Sequence, residues 1–130
     1  METWFAFRRG VVFLGFAHPM QITASNENGV TVLTVVGRMD TNTSPEAEKV
    51  ISGQIDGGAK RLLLDLAGLE YMSSAGLRAL LLGAKKSKAT GASLALCGVR
   101  PEIKEVLVVS GFVSFFKIHA GKAEGLQTAG

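Results

Sequence analysis

Two adjacent serines, Ser73 and Ser74, are the residues of this sequence whose type and spacing could carry chemistry. They precede a leucine-rich run in YMSSAGLRALLLGAKKSK, residues 71–88. A nucleophilic serine needs a base within hydrogen-bond reach and a second group that orients this base. The two histidines, His18 and His119, are far from the serines in sequence, and the serines lack the flanking glycines of a nucleophile elbow. The pattern therefore argues against a hydrolase or an acyltransferase, and we predict no catalytic residue.

Metal chemistry is not indicated either, because the histidines, the single cysteine and the acids show none of the spacings that cluster metal ligands. A receiver domain has a similar alternating α/β pattern, but its phosphorylated aspartate lies beside an acidic pair that holds magnesium. Here the first predicted strand ends in TASNENG, and Asp65 interrupts an apolar strand, where we expect it to hydrogen-bond nearby backbone. The sequence therefore predicts no metal and no cofactor.

The serines are thus either a helix cap or a regulated switch. Ser73 or Ser74 could cap the following helix by accepting backbone N–H groups, which is worth about 1 kcal/mol. A phosphate on either hydroxyl would lie at the positive end of the helix dipole and add about −1.5 to −2 charges to the surface. This charge would abolish docking of a partner shaped for a neutral hydroxyl, and the domain would stay folded.

The composition limits the possible partners and compartments. The chain has 130 residues, 47% of them hydrophobic, which suits one domain with its own core. The formal charge of +3 comes from 14 basic and 11 acidic residues that are mixed along the chain, so nucleic acid is not predicted as a partner. Cys97 lies in the apolar run ASLALCG, which indicates a buried, reduced thiol and a cytoplasmic protein.

Residues 1–19 differ in composition from the rest of the chain. Acidic and aromatic residues precede the two arginines, and the apolar run at 11–17 is at the short limit for a signal peptide. The run is also shorter than the roughly 20 apolar residues that span a bilayer, so no membrane binding is predicted. We expect an N-terminal extension of uncertain order at 1–19, a domain at 20–120 and a frayed tail at 121–130. Either Met1 or Met20 could be the physiological start.

The remaining sequence predicts the order strand, strand, helix, strand, helix, strand, helix, strand. Alternating residues around a turn at 26–29 indicate a hairpin, and TSPEAEKVISGQID indicates a helix with Ser44 as N-cap and Pro45 at its first position. The run RLLLDL is typical of a strand buried on both faces. The later elements are a helix after the serines, the strand ASLALCG, the helix RPEIKEVLVVSG and the strand FFKIHA. This order predicts a single α/β domain with a mostly parallel sheet of four to five strands covered by helices.

From about Met20 to His119, the chain resembles the anti-sigma-factor antagonists, which are stand-alone STAS-domain proteins of bacterial partner-switching systems. Three separated segments carry the resemblance in the family's order and spacing: GRMDTNTSPE, RLLLDLAGLEYMSSAGLRALL and CGVRPEIKEVLVVSGFVSFFKI. The first is similar to the family's Gly-x-x-Asp segment. The second resembles its strand, Asp, loop, Ser-x-Gly-Leu and helix signature, and the third resembles its x-Pro helix, Ser-Gly stop and final strand.

The resemblance implies a non-enzymatic regulator. Family members bind an anti-sigma serine kinase of the histidine-kinase-like ATPase fold, which otherwise holds a sigma factor inactive. The kinase phosphorylates the helix-start serine of the antagonist, and a PP2C-type phosphatase reverses the reaction. Ser74 matches this serine by position, and Ser73 is the second choice, standing where many members have an aspartate. The implied partner-binding surface comprises Asp40, Thr41, Ser73, Ser74, Gly76 and Leu77.

Simpler roles remain open for several of these residues. Asp40 could do no more than cap the turn before the first helix, and Leu77 fits the apolar core. The phenylalanines Phe112, Phe115 and Phe116 are typical of packing, although such a cluster near a sheet end could also be exposed. An alternative function for the whole chain is a non-switching STAS subunit of a transporter or signalling scaffold, in which the serines serve as caps.

Overall fold

The computed structural model describes residues 12–17 and 19–128, and in this part of the chain a single sheet is covered by helices. The strands are β1 Val12–Ala17, β2 Met20–Glu27, β3 Val30–Met39, β4 Arg61–Asp65, β5 Leu69–Met72, β6 Ser93–Cys97 and β7 Lys117–His119. The helices are α1 Ser44–Asp56, α2 Ser74–Thr90, α3 Pro101–Val109 and α4 Lys122–Thr128, with a short 3₁₀ turn at Val113–Phe115.

The sheet is mostly parallel, as the sequence predicts. Its strand order is β1-β2-β3-β4-β6-β7, and β5 pairs with β3. The two pairings that involve β2 are antiparallel, while the pairings of β3 with β4 and β5, of β4 with β6 and of β6 with β7 are parallel. The β2–β3 hairpin turns at Asn28 and Gly29, whose φ angles of 54° and 78° suit a type I′ turn. The α/β fold class is therefore confirmed.

The sheet has more strands than the predicted four to five, because β1 and β5 were not foreseen. β1 pairs with β2 from Val12 opposite Ala24 to Ala17 opposite Met20, so chain preceding the predicted domain start at residue 20 extends the sheet. Residues 1–11 and 18, including His18, lie outside the described residues. β5 arises because the chain turns after β4 and resumes along a later part of β3, where Met72 pairs with Met39.

The C-terminal tail, expected to be frayed, instead contains α4. The half-buried Leu126 packs on an apolar cluster made of Val30, Val32, Leu63, Ala95 and Cys97. Gly125 lies so close to Leu63 that a Cβ there would approach a Leu63 methyl at 2.7 Å. The Lys122 Nζ also lies 3.0 Å from a carboxylate oxygen of Glu27. The sequence does not reveal this helix, because it is short and its stability comes from tertiary contacts rather than from helix propensity.

Helices α1, α2 and α3 cover the opposite face of the sheet, where the main core lies. The apolar residues Ala47, Val50 and Ile51 of α1, Leu77 and Leu80 of α2, and Ile103 and Leu107 of α3 are buried there. In α1 the N-cap is Thr43 rather than the predicted Ser44, because the Ser44 hydroxyl turns back to the Asp40 carbonyl and Ser44 is already helical. Cys97 is a buried free thiol as expected, and burial raises its pKa to about 11, which keeps it protonated.

Candidate functional site

The predicted site residues meet where β3 and β5 end side by side. Met39 and Met72 are partners in the parallel ladder, so the residues that follow them, Asp40 and Ser73, begin adjacent loops. The Ser73 N–H donates to the Met39 carbonyl at 2.9 Å, which ties the start of α2 to the end of β3. In parallel α/β sheets, ligands and partners commonly bind at this carboxyl edge of the strands. The fold thus brings the predicted loop aspartate and both serines to one edge.

Ser73 caps helix α2. Its backbone is extended, with φ −83° and ψ 176°, as expected of an N-cap residue. Its Oγ accepts from the Gly76 N–H at 3.2 Å, and its carbonyl accepts from the Leu77 N–H at 2.9 Å. These contacts use the half-buried Ser73 hydroxyl to satisfy the first turn of the helix. Of the two serines, Ser73 therefore has the structural role.

Ser74 is the first residue of α2, and its side chain is exposed. Within the described residues, no side chain or backbone group hydrogen-bonds its Oγ. It lies at the positive end of a 17-residue helix whose cap is already supplied by Ser73. The Ser74 hydroxyl is therefore available to solvent and to a docking protein.

Gly76 and Leu77 hold the start of α2 against the sheet. A Cβ at Gly76 would lie 2.8 Å from the Met39 carbonyl oxygen and 2.9 Å from the Met72 Cγ, so a larger residue would push the helix away. Leu77 is only 6% exposed and belongs to the main core. Both residues position Ser74 from below, and the exposed area of this surface comes from other side chains.

Asp40 organises the loop between β3 and α1. Its Oδ1 accepts from the Asn42 N–H at 2.9 Å and from the Thr43 N–H at 3.0 Å, which is the geometry of an Asx turn. The Thr43 N–H bond is the main cause that lowers the pKa of Asp40, with the Asn42 N–H acting in the same direction. Asp40 therefore has the turn-capping role, and Thr41 at the tip of this turn is exposed.

Thr43 is a buried residue of this loop that the sequence reasoning missed. Its Oγ1 accepts from the Asp40 N–H at 2.8 Å and donates to the Arg38 carbonyl at 2.8 Å. Asp40 and Thr43 thus hold each other reciprocally, side chain to backbone in both directions. The Asp-x-x-Thr spacing in DTNT was the available signal, because Asp and Thr three residues apart commonly bond across a turn of this kind.

Comparison with known proteins identifies the family to which this chain belongs. The family model described as STAS domain matches residues 21–125. The chain belongs to the STAS domain family. It is 35% identical over 99 residues to the candidate anti-sigma factor antagonist BtrV of Bordetella bronchiseptica, an alignment that covers 76% of this chain and 85% of BtrV. The predicted resemblance to anti-sigma-factor antagonists is confirmed.

Solved structures share the STAS fold. A crystal structure of an anti-sigma factor antagonist from Mycobacterium paratuberculosis matches with a TM-score of 0.76 at 21% identity, covering 86% of this chain and 97% of that one. The Bacillus cell fate determinant SpoIIAA in its phosphorylated form matches with a TM-score of 0.64 at 19% identity, covering 82% of this chain and 96% of that one. At these identities the match shows the fold alone.

A shallow groove of about 480 Å³ starts at Ser74 in this STAS domain and runs between α2 and α3. Its lining residues are Ser74, Leu77, Glu102, Glu105, Val106, Val109 and Ser110. The sequence analysis missed it, because it predicted α3 only as one of the helices that cover the sheet and did not separate the two faces of that helix. The spacing of Glu102, Glu105, Val106 and Val109, at i, i+3, i+4 and i+7, was the available signal.

The other groups that could do chemistry lie elsewhere in the STAS domain. His119 belongs to β7, which two strands separate from β3, and its Nδ1 lies 3.3 Å from a Glu124 carboxylate oxygen. The Asp65 Oδ1 accepts from the Ala67 N–H at 3.1 Å, so its expected bond to nearby backbone is confirmed. Among the described residues, no three His, Cys, Asp or Glu side chains form a group that could hold a metal ion. No described helix is long and apolar enough to cross a membrane.

Proposed function

We propose that the protein is an anti-sigma factor antagonist, which binds an anti-sigma serine kinase while Ser74 is unmodified and leaves it once Ser74 carries phosphate. One observation carries the proposal: Ser73 supplies the helix cap, and the adjacent Ser74 hydroxyl is exposed and unused. A hydroxyl with no structural role, held at a rigid helix start, can accept a phosphate at little cost in stability. The similarity to BtrV supports the same role.

The kinase, an ATPase of the histidine-kinase-like fold, would supply the nucleotide and the base. The Ser74 Oγ attacks the γ-phosphorus of ATP, the bond between that phosphorus and the β,γ-bridging oxygen breaks, and ADP leaves. The hydroxyl proton passes to a base of the kinase, since no described side chain hydrogen-bonds Ser74. A PP2C-type phosphatase would return the serine by hydrolysis of the phosphate ester. The antagonist itself contributes a positioned substrate and no catalytic residue.

Release follows from electrostatics at the helix start. In the complex, the Ser74 hydroxyl must face the γ-phosphate of bound ATP, so a phosphoserine would bring two phosphates into the same space. On the groove side of Ser74 the lining includes Glu102 and Glu105, which add further negative charge. The N-terminal end of the α2 dipole stabilises the new charge within the antagonist, which leaves the fold intact. The switch therefore works through surface charge, in the cytoplasm where the kinase meets its sigma factor.

The experiment compares three variants as baits for the organism's own ATPases. Ser74→Ala should retain a histidine-kinase-like ATPase in the presence of Mg-ATP, while Ser74→Glu should lose it. Thr90→Glu is the matched control, because it adds the same charge at the exposed far end of α2, about 25 Å away. Equal retention by Ser74→Glu and the control would refute the switch. Co-purification of all three variants with a transporter or scaffold would instead support a non-switching STAS subunit.

A further inference from the structure

Helix α3 has two apolar faces, and the core buries only one of them fully. Ile103 and Leu107 are almost fully buried against the sheet side of the domain. The second face holds Val106 and Val109, one helical turn apart, and faces the groove that starts at Ser74. A helix that serves the core alone needs one apolar stripe and presents polar residues elsewhere. Val106 packs partly against the main core, whereas Val109 is 79% exposed, so the Val109 end of the second stripe is not used for packing.

The groove combines this apolar stripe with an acidic border. Val109 is 79% exposed, Val106 is half-buried, and Leu77 forms a buried floor. Glu102 and Glu105 stand on the same helical stripe as the two valines, and both are exposed. The residues that line the groove, all of them within the described chain, include no Lys, Arg or His. An apolar strip with acidic neighbours is complementary to an apolar side chain flanked by basic ones.

We propose that this groove, which we name the α2–α3 groove, docks a basic, apolar-faced segment of the kinase that modifies Ser74. An apolar side chain of that segment inserts between Leu77, Val106 and Val109, and a neighbouring lysine or arginine pairs with Glu105 or Glu102. This inference rests on the proposed function and specifies how the partner is recognised. Its basis is continuity: the groove begins at Ser74, so a protein that reaches the Ser74 hydroxyl also covers the groove.

The groove and the serine then have separate tasks. Apolar contact with Val109 supplies affinity in either phosphorylation state, and the glutamates steer a basic partner towards the helix start. Phosphate on Ser74 outweighs these contacts, because it repels the nucleotide phosphates of the kinase, and the complex then separates. Loss of the groove should therefore weaken binding of the unphosphorylated protein without changing which serine is modified.

The test places a photo-crosslinking amino acid, p-benzoylphenylalanine, at three exposed positions of the full chain and identifies the crosslinked peptides by mass spectrometry. Val109 lines the groove. Val108 is the control, because it is 53% exposed on the same helix and does not line the groove. Thr41 is the reference for the proposed surface around Ser74. We expect the same ATPase to be crosslinked from positions 41 and 109, and no ATPase from position 108. The ATPase peptide crosslinked from position 109 should be rich in Lys or Arg.

The outcomes separate this inference from the proposed function. An ATPase crosslinked from position 41 but not from position 109 would refute docking of the kinase in the α2–α3 groove, and the proposed function would still hold. No ATPase from either position would overturn both. Crosslinks from 109 to a second copy of this chain, to its residues 1–11, to an acidic peptide or to the phosphatase would each overturn the proposed occupant.

Charge reversal gives an independent readout with the kinase identified by those crosslinks. Glu105→Lys should weaken its binding about fivefold at low salt and less at high salt, because the lost interaction is electrostatic. Glu48→Lys makes the same charge change at an exposed position of α1 and should leave the affinity within about twofold. Equal effects of the two substitutions would overturn the role of the groove glutamates.

Discussion

The Ser73 Oγ accepts a hydrogen bond from the Gly76 N–H at 3.2 Å, so Ser73, and not the adjacent Ser74, caps helix α2. Ser73 completes the first turn of α2 and is half-buried, whereas Ser74 is exposed at the next position. The Ser73 hydroxyl is half-buried and engaged in the first turn, whereas no described group hydrogen-bonds the Ser74 hydroxyl. The contact is therefore the physical reason why we propose Ser74, rather than Ser73, as the modified residue.

The first prediction separates the two serines by stability. Ser73→Ala should lower the free energy of unfolding by about 1 kcal/mol, because it removes the side-chain cap. Ser74→Ala should change it by less than about 0.5 kcal/mol, since no described group bonds that hydroxyl. Urea denaturation of both variants measures the difference. Ser73→Asp serves as a control, because aspartate is an equally good N-cap and should restore most of the loss.

A larger loss in Ser74→Ala than in Ser73→Ala would show that the cap assignment is reversed, and the site of modification would then move to Ser73.

The second prediction concerns the close approach at Gly76. Gly76→Ala should destabilise the domain by about 1–3 kcal/mol, because the new Cβ would lie 2.8 Å from the Met39 carbonyl oxygen. Gly53→Ala is the matched control within α1, where a Cβ meets nothing within 4 Å. This control should stabilise the domain by about 0.5–1 kcal/mol through helix propensity. Thermal and urea unfolding measure the stability of both variants. Equal stability of Gly76→Ala and Gly53→Ala would refute the close packing at Gly76.

The third prediction follows from the lowered pKa of Asp40. The folded state favours the charged carboxylate, so Asp40 adds stability above its usual pKa of 3.8 and loses that contribution as pH falls through the lower folded value. Asp40→Asn does not titrate and keeps the side-chain oxygen of the Asx turn. The difference in free energy of unfolding between wild type and this variant should stay level above about pH 5 and shrink in acid.

Urea denaturation at a series of pH values measures that difference. A difference that stayed constant down to pH 2 would mean that the carboxylate charge contributes nothing to the turn.

The fourth prediction tests whether α4 is part of the domain. Leu126→Ala should lower the free energy of unfolding by about 1–2 kcal/mol, because the half-buried side chain covers the apolar cluster around Leu63 and Cys97. Gln127→Ala, at an exposed position of the same helix, should have almost no effect. Hydrogen exchange is a second measurement, in which the amides of α4 should exchange faster in Leu126→Ala than in Gln127→Ala. Equal stability of the two variants would show that the C-terminal helix contributes no packing energy.

Much of this architecture follows from local sequence patterns. The hairpin at Asn28 and Gly29, the helix stops at Gly91 and Gly111, and the buried β4 were predictable, because turn glycines and apolar periodicity report on their own surroundings. The strands β1 and β5 and the helix α4 were not predictable in this way. β5 and α4 are short and are stabilised by partners distant in sequence, Gly37–Met39 for β5 and Leu63 for α4. β1 pairs with the neighbouring β2, and the sequence analysis missed it because residues 1–19 differ in composition from the rest of the chain.

The candidate site also combines features that the local sequence predicts with features that depend on tertiary contacts. The sequence placed both serines at a helix start, but a choice between cap and exposed hydroxyl depends on one backbone angle and one contact of Ser73. Asp40 could be assigned to a turn from its type, whereas its adjacency to Ser73 depends on the pairing of β3 with β5. The α2–α3 groove needed the structure, because Val106 and Val109 fit a core stripe equally well in the sequence.

The most direct test of the proposed switch is the position of the phosphate. The purified protein is incubated with Mg-ATP and lysate of its own organism, and the tryptic peptides that span Ser73 and Ser74 are mapped by mass spectrometry. We predict phosphate on Ser74, with Ser73 unmodified. Neither serine modified, while a control substrate in the same lysate is phosphorylated, would contradict the switch and favour a STAS domain whose serines serve only to begin a helix.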